Sequence, residues 1–313
     1  MKIAVVIPCY NVQFHIVQVV ESIYSIVDFI IAVDDASKDN TNSALIQLSK
    51  KYNKLQVISH KNNLGVGAAM KTGYRLALDL ECSIILKMDG DGQMDAKYLP
   101  PLINKISSFD ADFAKGNRFH DLKALRAMPG SRRIGNLGLS FLIKAASGYW
   151  NIFDPSNGFT AIHKDALSKI DFDKLHDRYF FESSLLIELY YSNAIVSDVP
   201  MEAKYGDEIS GLSIQKTLIE FPPKLIYATL RRIVLKYFLF DFNIASLYIL
   251  IGFPLLISGS VYGAVNFIYY AKNNIAAPTG TVVIPTLLII LGFQLLLAAV
   301  SYDISNYPKK NKN

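Results

Sequence analysis

Asp89 and Asp91, in Lys87-Met88-Asp89-Gly90-Asp91-Gly92-Gln93, are the residues whose type and spacing best suit chemistry. They follow the apolar run Ser83-Ile84-Ile85-Leu86, which reads as a short buried strand. On a segment that is still extended, residues two apart point to the same side. Two carboxylates on one side are hard oxygen ligands. They can hold Mg²⁺ or Mn²⁺ and leave positions open for phosphate oxygens. A sugar nucleotide gripped through its diphosphate by such a metal is the reading they favour. A plainer reading competes, since Asp-Gly-Asp-Gly is also turn chemistry. A calcium loop fails, because Met94 stands where that loop needs Gly and Pro100 where it needs a bidentate Glu.

The elements that must position this pair are legible upstream. Strand patterns cover Ile3–Ile7, Phe29–Val33, Leu55–Ser59 and Ile84–Met88. Helix patterns over Ile16–Tyr24, from Asn40/Thr41 to Tyr52, and over Val66–Leu80 separate them. Such alternation predicts a mostly parallel sheet with helices on both faces. Further strands are expected at Phe113–Lys115, Thr160–His163 and Ala194–Val199. Helices are expected over Arg132–Tyr149 and Glu182–Tyr191, and a mobile loop over Gly206–Ser213.

Four consecutive strands therefore end in polar loops. Pro8-Cys9-Tyr10-Asn11 ends the first and Asp34-Asp35-Ala36-Ser37 the second. Asn62-Asn63-Leu64-Gly65-Val66-Gly67 follows the third, and Asp89-Gly90-Asp91 the fourth. Any one could be a turn, but together they describe a ligand crevice at the carboxyl edge of a sheet. The Gly65-Val66-Gly67 loop resembles a dinucleotide fingerprint only weakly, since Met70 takes the third glycine position.

The chain has 313 residues and a formal net charge of +5. Phe242–Ala271 and Asn273–Tyr302 contain no charged residue. Each exceeds the ~20 residues that span a ~30 Å hydrocarbon core, so they read as a transmembrane hairpin joined at Lys272. Lys216, Lys224, Arg231, Arg232 and Lys236 precede the first span, and Lys309, Lys310 and Lys312 follow the second. The positive-inside rule then puts both termini in the cytoplasm. Ile214–Phe240 mixes these cations with apolar residues, as an interfacial amphipathic helix does, with a break expected at Pro222-Pro223. The basic excess beside the spans favours an anionic lipid surface over nucleic acid. Cys9 and Cys82 suit a reducing compartment and read as core residues.

Taken jointly, Pro8-Cys9-Tyr10-Asn11, Val33-Asp34-Asp35-Ala36-Ser37, Asn63-Leu64-Gly65 and Asp89-Gly90-Asp91-Gly92-Gln93 resemble family 2 glycosyltransferases. The resemblance is to the polyprenyl-phosphate branch, which includes dolichyl-phosphate mannose synthase and the bactoprenol-phosphate glucosyltransferases. It implies an α/β GT-A domain (Rossmann-like, mostly parallel sheet) over 1–212. Juxtamembrane amphipathic helices follow over 213–241, a hairpin over 242–303 with spans at about 245–270 and 281–302, and a cytoplasmic tail over 304–313. It implies that Pro8, Tyr10, Asn11, Asp34 and Asp35 contact base and ribose, with Asn63 and Gly65 near the nucleotide. It makes Asp89, Asp91 and Gln93 the holders of Mg²⁺ or Mn²⁺ and the diphosphate, and Arg118, Arg132 and Arg133 the binders of the acceptor phosphate. Asp89, Asp91, Arg118 and Arg132 become the catalytic set. Arg178 falls near the phosphates or sugar. His60-Lys61 and Val12 depart from the family pattern.

Asp154-Pro155-Ser156-Asn157-Gly158 reads equally as a sugar-pocket wall and as a turn. Glu182 reads as a general base or as a structural partner of Arg178. An acceptor phosphate is already anionic and has little need of a base. The expected activity is inverting, metal-dependent transfer of one hexose from a UDP- or GDP-sugar to a polyprenyl phosphate, of undecaprenyl or dolichyl type. It is expected at the cytoplasmic face of a bacterial-type plasma membrane, and a homo-oligomer is left open. A processive polysaccharide synthase is the rival enzyme, but the Gln-x-x-Arg-Trp motif is missing around Trp150, the sole Trp. A non-catalytic membrane scaffold is the rival outside enzymes. Every proposed donor residue precedes Ser210, so a chain ending there is expected to keep the donor site.

Overall fold

The computed structural model describes residues 1–120, 130–202 and 214–310, and not the side chains of 120, 130–134, 136 and 214–218. The loop expected at Gly206–Ser213 lies outside the described residues. Two compact units emerge, one built on Met1–Ala228 and one on Thr229–Tyr307.

The first unit is organised by a seven-stranded sheet in the order β3-β2-β1-β4-β6-β5-β7. These are β1 Ile3–Cys9, β2 Phe29–Asp34, β3 Leu55–Ser59, β4 Ile84–Lys87, β5 Phe113–Asn117, β6 Thr160–His163 and β7 Val196–Pro200. Pairs β1–β2, β2–β3, β1–β4 and β5–β7 are parallel, and β6 is antiparallel to both neighbours. This is the GT-A fold, with one reversed strand in a mostly parallel sheet.

The central strands are apolar throughout because both faces are covered. Ala4, Val6, Ile31, Val33, Ile85, Phe113 and Ile162 join the core on one face. Val5, Ile7, Ile30, Ala32, Ile84, Leu86, Ala114 and Ala161 join the core on the other. Residue alternation along each strand thus feeds two cores and leaves polar chemistry to the strand ends. The helix Leu99–Ser107 was not foreseen from the sequence. Pro100 and Pro101 sit in its first turn, where the missing N–H costs nothing.

A helix runs unbroken from Ile214 to Val234 through Pro222 and Pro223, contrary to the break expected there. In its first half Phe221 and Leu225 are buried in the sheet core. That burial offsets the backbone hydrogen bonds the prolines cannot make. The first unit therefore continues to Ala228, into the stretch expected to lie on the membrane surface.

The second unit contains two helices long and apolar enough to cross a membrane, Ile244–Asn273 and Thr279–Ser305, with mean hydropathies of 2.0 and 2.5. They pack closely at Gly252, Gly259 and Gly292. A Cβ at Gly252 would lie 3.0 Å from the Gly292 carbonyl. Their outward side chains, such as Leu250, Phe253 and Leu291, are exposed. A soluble core helix would bury such residues. Below the hairpin, the buried Arg232 donates twice to Asp303, at 2.8 and 2.7 Å, and Tyr237 donates to the same carboxylate. Lys236 stands 3.6 Å from Asp303. Two cations expected at the membrane surface are thus tied to one acid.

Candidate active site

The carboxyl ends of β1, β2, β3 and β4 open into a cleft of about 1430 Å³. Pro8, Tyr10, Asn11, Asp35, Asn63, Gly65, Asp89, Asp91, Gln93, Arg178 and Glu182 all line it, as the sequence reading grouped them. Asp34 does not. It is buried, and accepts from Asn42 Nδ2 at 3.0 Å and Ser37 N at 3.3 Å.

Asp35 organises one wall. Its carboxylate accepts from Leu64 N at 3.0 Å and Gly65 N at 2.7 Å. His60 Nδ1 meets it at 2.7 Å, and Asn63 donates to its carbonyl at 3.2 Å. His60, one of the departures from the family pattern, therefore braces Asp35. Asn11 works similarly, accepting from Lys38 N at 2.8 Å. Gly65 has φ +106°, and a Cβ there would lie 2.5 Å from the Asp177 carbonyl and 2.8 Å from Arg178 Cγ. Only glycine allows that approach. It lets the segment carrying Arg178 sit directly on the loop after β3.

The floor is built on the last residue of β4. Lys87 is buried and donates to Asp89 at 2.7 Å, with Glu182 at 3.2 Å. Burial alone would push this ammonium down, but the Asp89 and Glu182 carboxylates outweigh it and hold its pKa above the usual lysine range. Glu182 thus takes Lys87 as its partner, and not Arg178, which was one of the two readings open for it. Gly158 makes the room, since a Cβ there would lie 2.4 Å from Lys87 Nζ. Lys87 escaped the sequence reading. Its one signal was a lysine ending an otherwise apolar strand.

Asp91 accepts from Gln93 N at 3.0 Å, so the loop turns both side chains toward the same cleft. Among the described residues no group of three or more His, Cys, Asp or Glu gathers to enclose a metal. Asp89 and Asp91 with the Gln93 amide form a partial, all-oxygen donor set open to the cleft. That fits a hard divalent cation that takes its remaining ligands from phosphate and water.

The mixed half of the sheet behaves differently. Lys87 and Lys115 both pair with Thr160, and Lys115 pairs with Asp198, so these four share one row across β4, β6, β5 and β7. Lys115 is buried and donates to the Asn157 carbonyl. Burial pushes its pKa down to about 8. Burial also pushes Asp198 up to about 6. Arg118 grips the fully buried Asp154 with two bonds, Nε at 2.7 Å and Nη2 at 3.1 Å. Asn157 is buried, and its side chain accepts from Phe159 N at 2.9 Å. Neither Arg118 nor Asn157 lines the cleft. Arg132 and Arg133 lie in the helix Gly130–Ser147, with side chains outside the described set.

Glu220, Phe221 and Lys224 of the helix Ile214–Val234 line the same cleft. The cleft therefore takes part of its lining from beyond Ser210, although every proposed donor residue precedes that point. The sequence reading did not separate out this inward face, although Phe221 and Leu225 are one helical turn apart.

The family model for glycosyl transferase family 2 matches residues 4–171. A UDP-N-acetylglucosamine–dolichyl-phosphate N-acetylglucosaminyltransferase of Methanococcus voltae is 32% identical over 218 residues, covering 66% of this chain and 86% of the relative. A polyprenol monophosphomannose synthase of Mycolicibacterium smegmatis is 26% identical over 230 residues, covering 69% of this chain and 84% of the relative. A solved mannosyltransferase of Pyrobaculum calidifontis, in complex with GDP-Man and Mn²⁺, has a TM-score of 0.48 at 13% identity. It covers 97% of this chain and 87% of that one.

Proposed function

The chain belongs to glycosyl transferase family 2, and from that premise we propose that it transfers one hexose from a nucleotide-diphosphate sugar to a polyprenyl phosphate at a membrane surface. The carrying observation is the cleft that gathers Asp35, Asn63, Gly65, Asp89, Asp91 and Gln93 in a chain that also contains two membrane-length apolar helices. The names of relatives on dolichyl and other polyprenyl phosphates support the acceptor class.

In this reading Pro8, Tyr10 and Asn11 bound the nucleoside end, with the loop that Asp35 holds against the opposite side. Asp89, Asp91 and Gln93 would hold Mg²⁺ or Mn²⁺. Such a cation offsets the charge that gathers on the departing nucleoside diphosphate. Lys87 orients Asp89 and lowers the net charge of the floor. The acceptor phosphate attacks the anomeric carbon in line, with inversion, and needs no base because it arrives ionised. Arg132 and Arg133 remain the proposed acceptor-side cations, and Arg118, tied to Asp154 and off the cleft lining, would support that side of the site without meeting the phosphate itself. With both termini cytoplasmic, the hairpin would anchor the chain in the bilayer that holds the acceptor and replace a diffusional search with proximity.

The test uses full-length protein in lipid nanodiscs with undecaprenyl phosphate. Labelled UDP-N-acetylglucosamine, UDP-glucose and GDP-mannose are offered in turn. Label is expected in the lipid fraction with at least one donor, and to be lost on chelation. Donor hydrolysis without lipid labelling would overturn the acceptor assignment. Growth of label into polymer would favour the processive rival.

A further inference from the structure

Lys224 belongs to a stretch that composition assigns to the membrane surface, yet its side chain lines the catalytic cleft. Resting on the function above, we propose that Lys224 contacts the phosphate of the lipid acceptor and helps set acceptor specificity. The ligand chemistry is a phosphate oxygen, which the donor diphosphate also presents, so the two sources must be told apart by experiment.

Position separates the candidate cations first. Lys87 is buried between Asp89 and Glu182 and cannot approach a second anion freely. Arg118 is held in two bonds by Asp154. Arg178 and Lys224 line the cleft, are exposed, and make no ion pair with a described carboxylate. What distinguishes them is the element each comes from. Arg178 is packed on the loop after β3, where its Cγ would meet a Cβ on Gly65 at 2.8 Å. That is the donor wall. Lys224 comes from the helix that continues to Val234 and leads along the chain to the first apolar helix at Ile244.

Local packing prepares Lys224 for this contact. Its ammonium sits 5.4 Å above the Phe180 ring, and Phe180 meets Phe221 edge-on at 5.0 Å. The aromatic pair is buried, so the lysine stem rests on a rigid surface. Cation–π contact occupies one side of the ammonium and leaves N–H donors for an anion. A compact charge with three donors suits a phosphate monoester, which presents oxygens without a fixed fork geometry.

The experiment compares full-length wild type with Lys224→Met and Lys224→Arg in nanodiscs. Acceptor KM and kcat are measured with undecaprenyl phosphate, and Kd for UDP and GDP by calorimetry. Lys224→Met is expected to raise acceptor KM about tenfold, equivalent to ~1.4 kcal/mol. Nucleotide Kd should stay within about twofold and Lys224→Arg should restore KM, because the charge-assisted contact is what was lost. An unchanged acceptor KM overturns the proposal, as does a lowered Tm with unchanged KM, which would mark Lys224 as packing alone. A nucleotide Kd weakened as much as KM overturns it by assigning Lys224 to the donor. Transfer by the wild type with an insensitive variant refutes Lys224 alone. No transfer by the wild type refutes the function itself.

Discussion

The two halves of the sheet carry similar polar residues at their strand ends and use them in opposite ways. In the parallel half, β3-β2-β1-β4, the polar loops face a shared cleft, and Tyr10, Asp91 and Gln93 line it. In the mixed half, β6-β5-β7, the polar groups turn on each other. Arg118 holds Asp154, Lys115 holds the Asn157 carbonyl, and Asp198 takes the Phe153 amide at 2.7 Å. The parallel strands end at one edge and leave their loops side by side, as a binding crevice requires. Reversing β6 brings a loop back across the sheet, so its charges find partners within the fold. Lys87 marks the boundary, as the last residue of β4 with one carboxylate from the cleft loop and one from the helix Phe181–Tyr191. A charged residue's role follows from its partner, which neither residue type nor spacing reveals.

The comparison is broken most severely at Asp91. Asp91→Asn removes a charged ligand from the proposed diphosphate clamp and leaves every core contact in place. Turnover is expected to fall about a thousandfold, the scale of several kcal/mol of lost charge stabilisation. Labelled-lipid formation measures it, and calorimetry with UDP and Mn²⁺ should show the metal-dependent part of nucleotide binding gone. Full turnover after chelation and gel filtration would remove the metal from the mechanism. Gly65→Ala comes next. Its left-handed φ and its approach to the Asp177 carbonyl cost about 1–3 kcal/mol of backbone strain. The loop that Asp35 holds must shift, so nucleotide Kd should rise about tenfold, with a lower thermal midpoint.

Arg118 and Arg178 sharpen the contrast from the two sides. Arg118→Ala leaves the buried Asp154 carboxylate without its fork and should destabilise the first unit by about 3 kcal/mol. Arg178→Ala removes an exposed cation and should change stability by less than about 0.5 kcal/mol while weakening nucleotide binding. Denaturation followed by the fluorescence of Trp150, the chain's sole tryptophan, reads both. Equal stability losses would erase the distinction between the halves.

Much of this was legible in the sequence, for a physical reason. Strand–helix alternation and the Asp89/Asp91 pair are local signals. The expected strands Leu55–Ser59 and Thr160–His163 match the observed ones, and the cleft takes residues from each of the four early loops. What was not legible depends on contacts distant in sequence. Glu182 reaches Lys87, and Asp154 reaches Arg118. Arg232 read as a cation flanking a span, yet it forms a buried pair with Asp303, 71 residues along the chain. For the helix Ile214–Val234 the basic composition was legible, and the face that Phe221 and Leu225 turn into the core was not. Asp303 did carry a signal, as the first acid after a long uncharged run.

Lys115 gives the pH-dependent test of the comparison, and its sign is fixed by burial. Its folded pKa is pushed down from 10.5 to about 8 because the ammonium is desolvated in the sheet. The unfolded chain therefore binds this proton more tightly than the folded one. Below pH 8 both forms are protonated and the penalty is fully present. Stability of the first unit should rise with pH between about 8 and 10.5, as the folded lysine loses its proton first. The gain is at most about 3 kcal/mol, at 1.36 kcal/mol per unit. Lys115→Met fills similar space and removes the titrating group, so this part of the slope should vanish. The variant also strips a donor from the Asn157 carbonyl, a cost of about 1 kcal/mol that does not vary with pH. Urea midpoints from Trp150 fluorescence at pH 7.5, 9 and 10.5 give the difference curve, which cancels the titration of other residues. A difference flat across that range would mean that Lys115 is solvated or paired, and that the mixed half holds its charge as comfortably as the floor of the cleft holds Lys87.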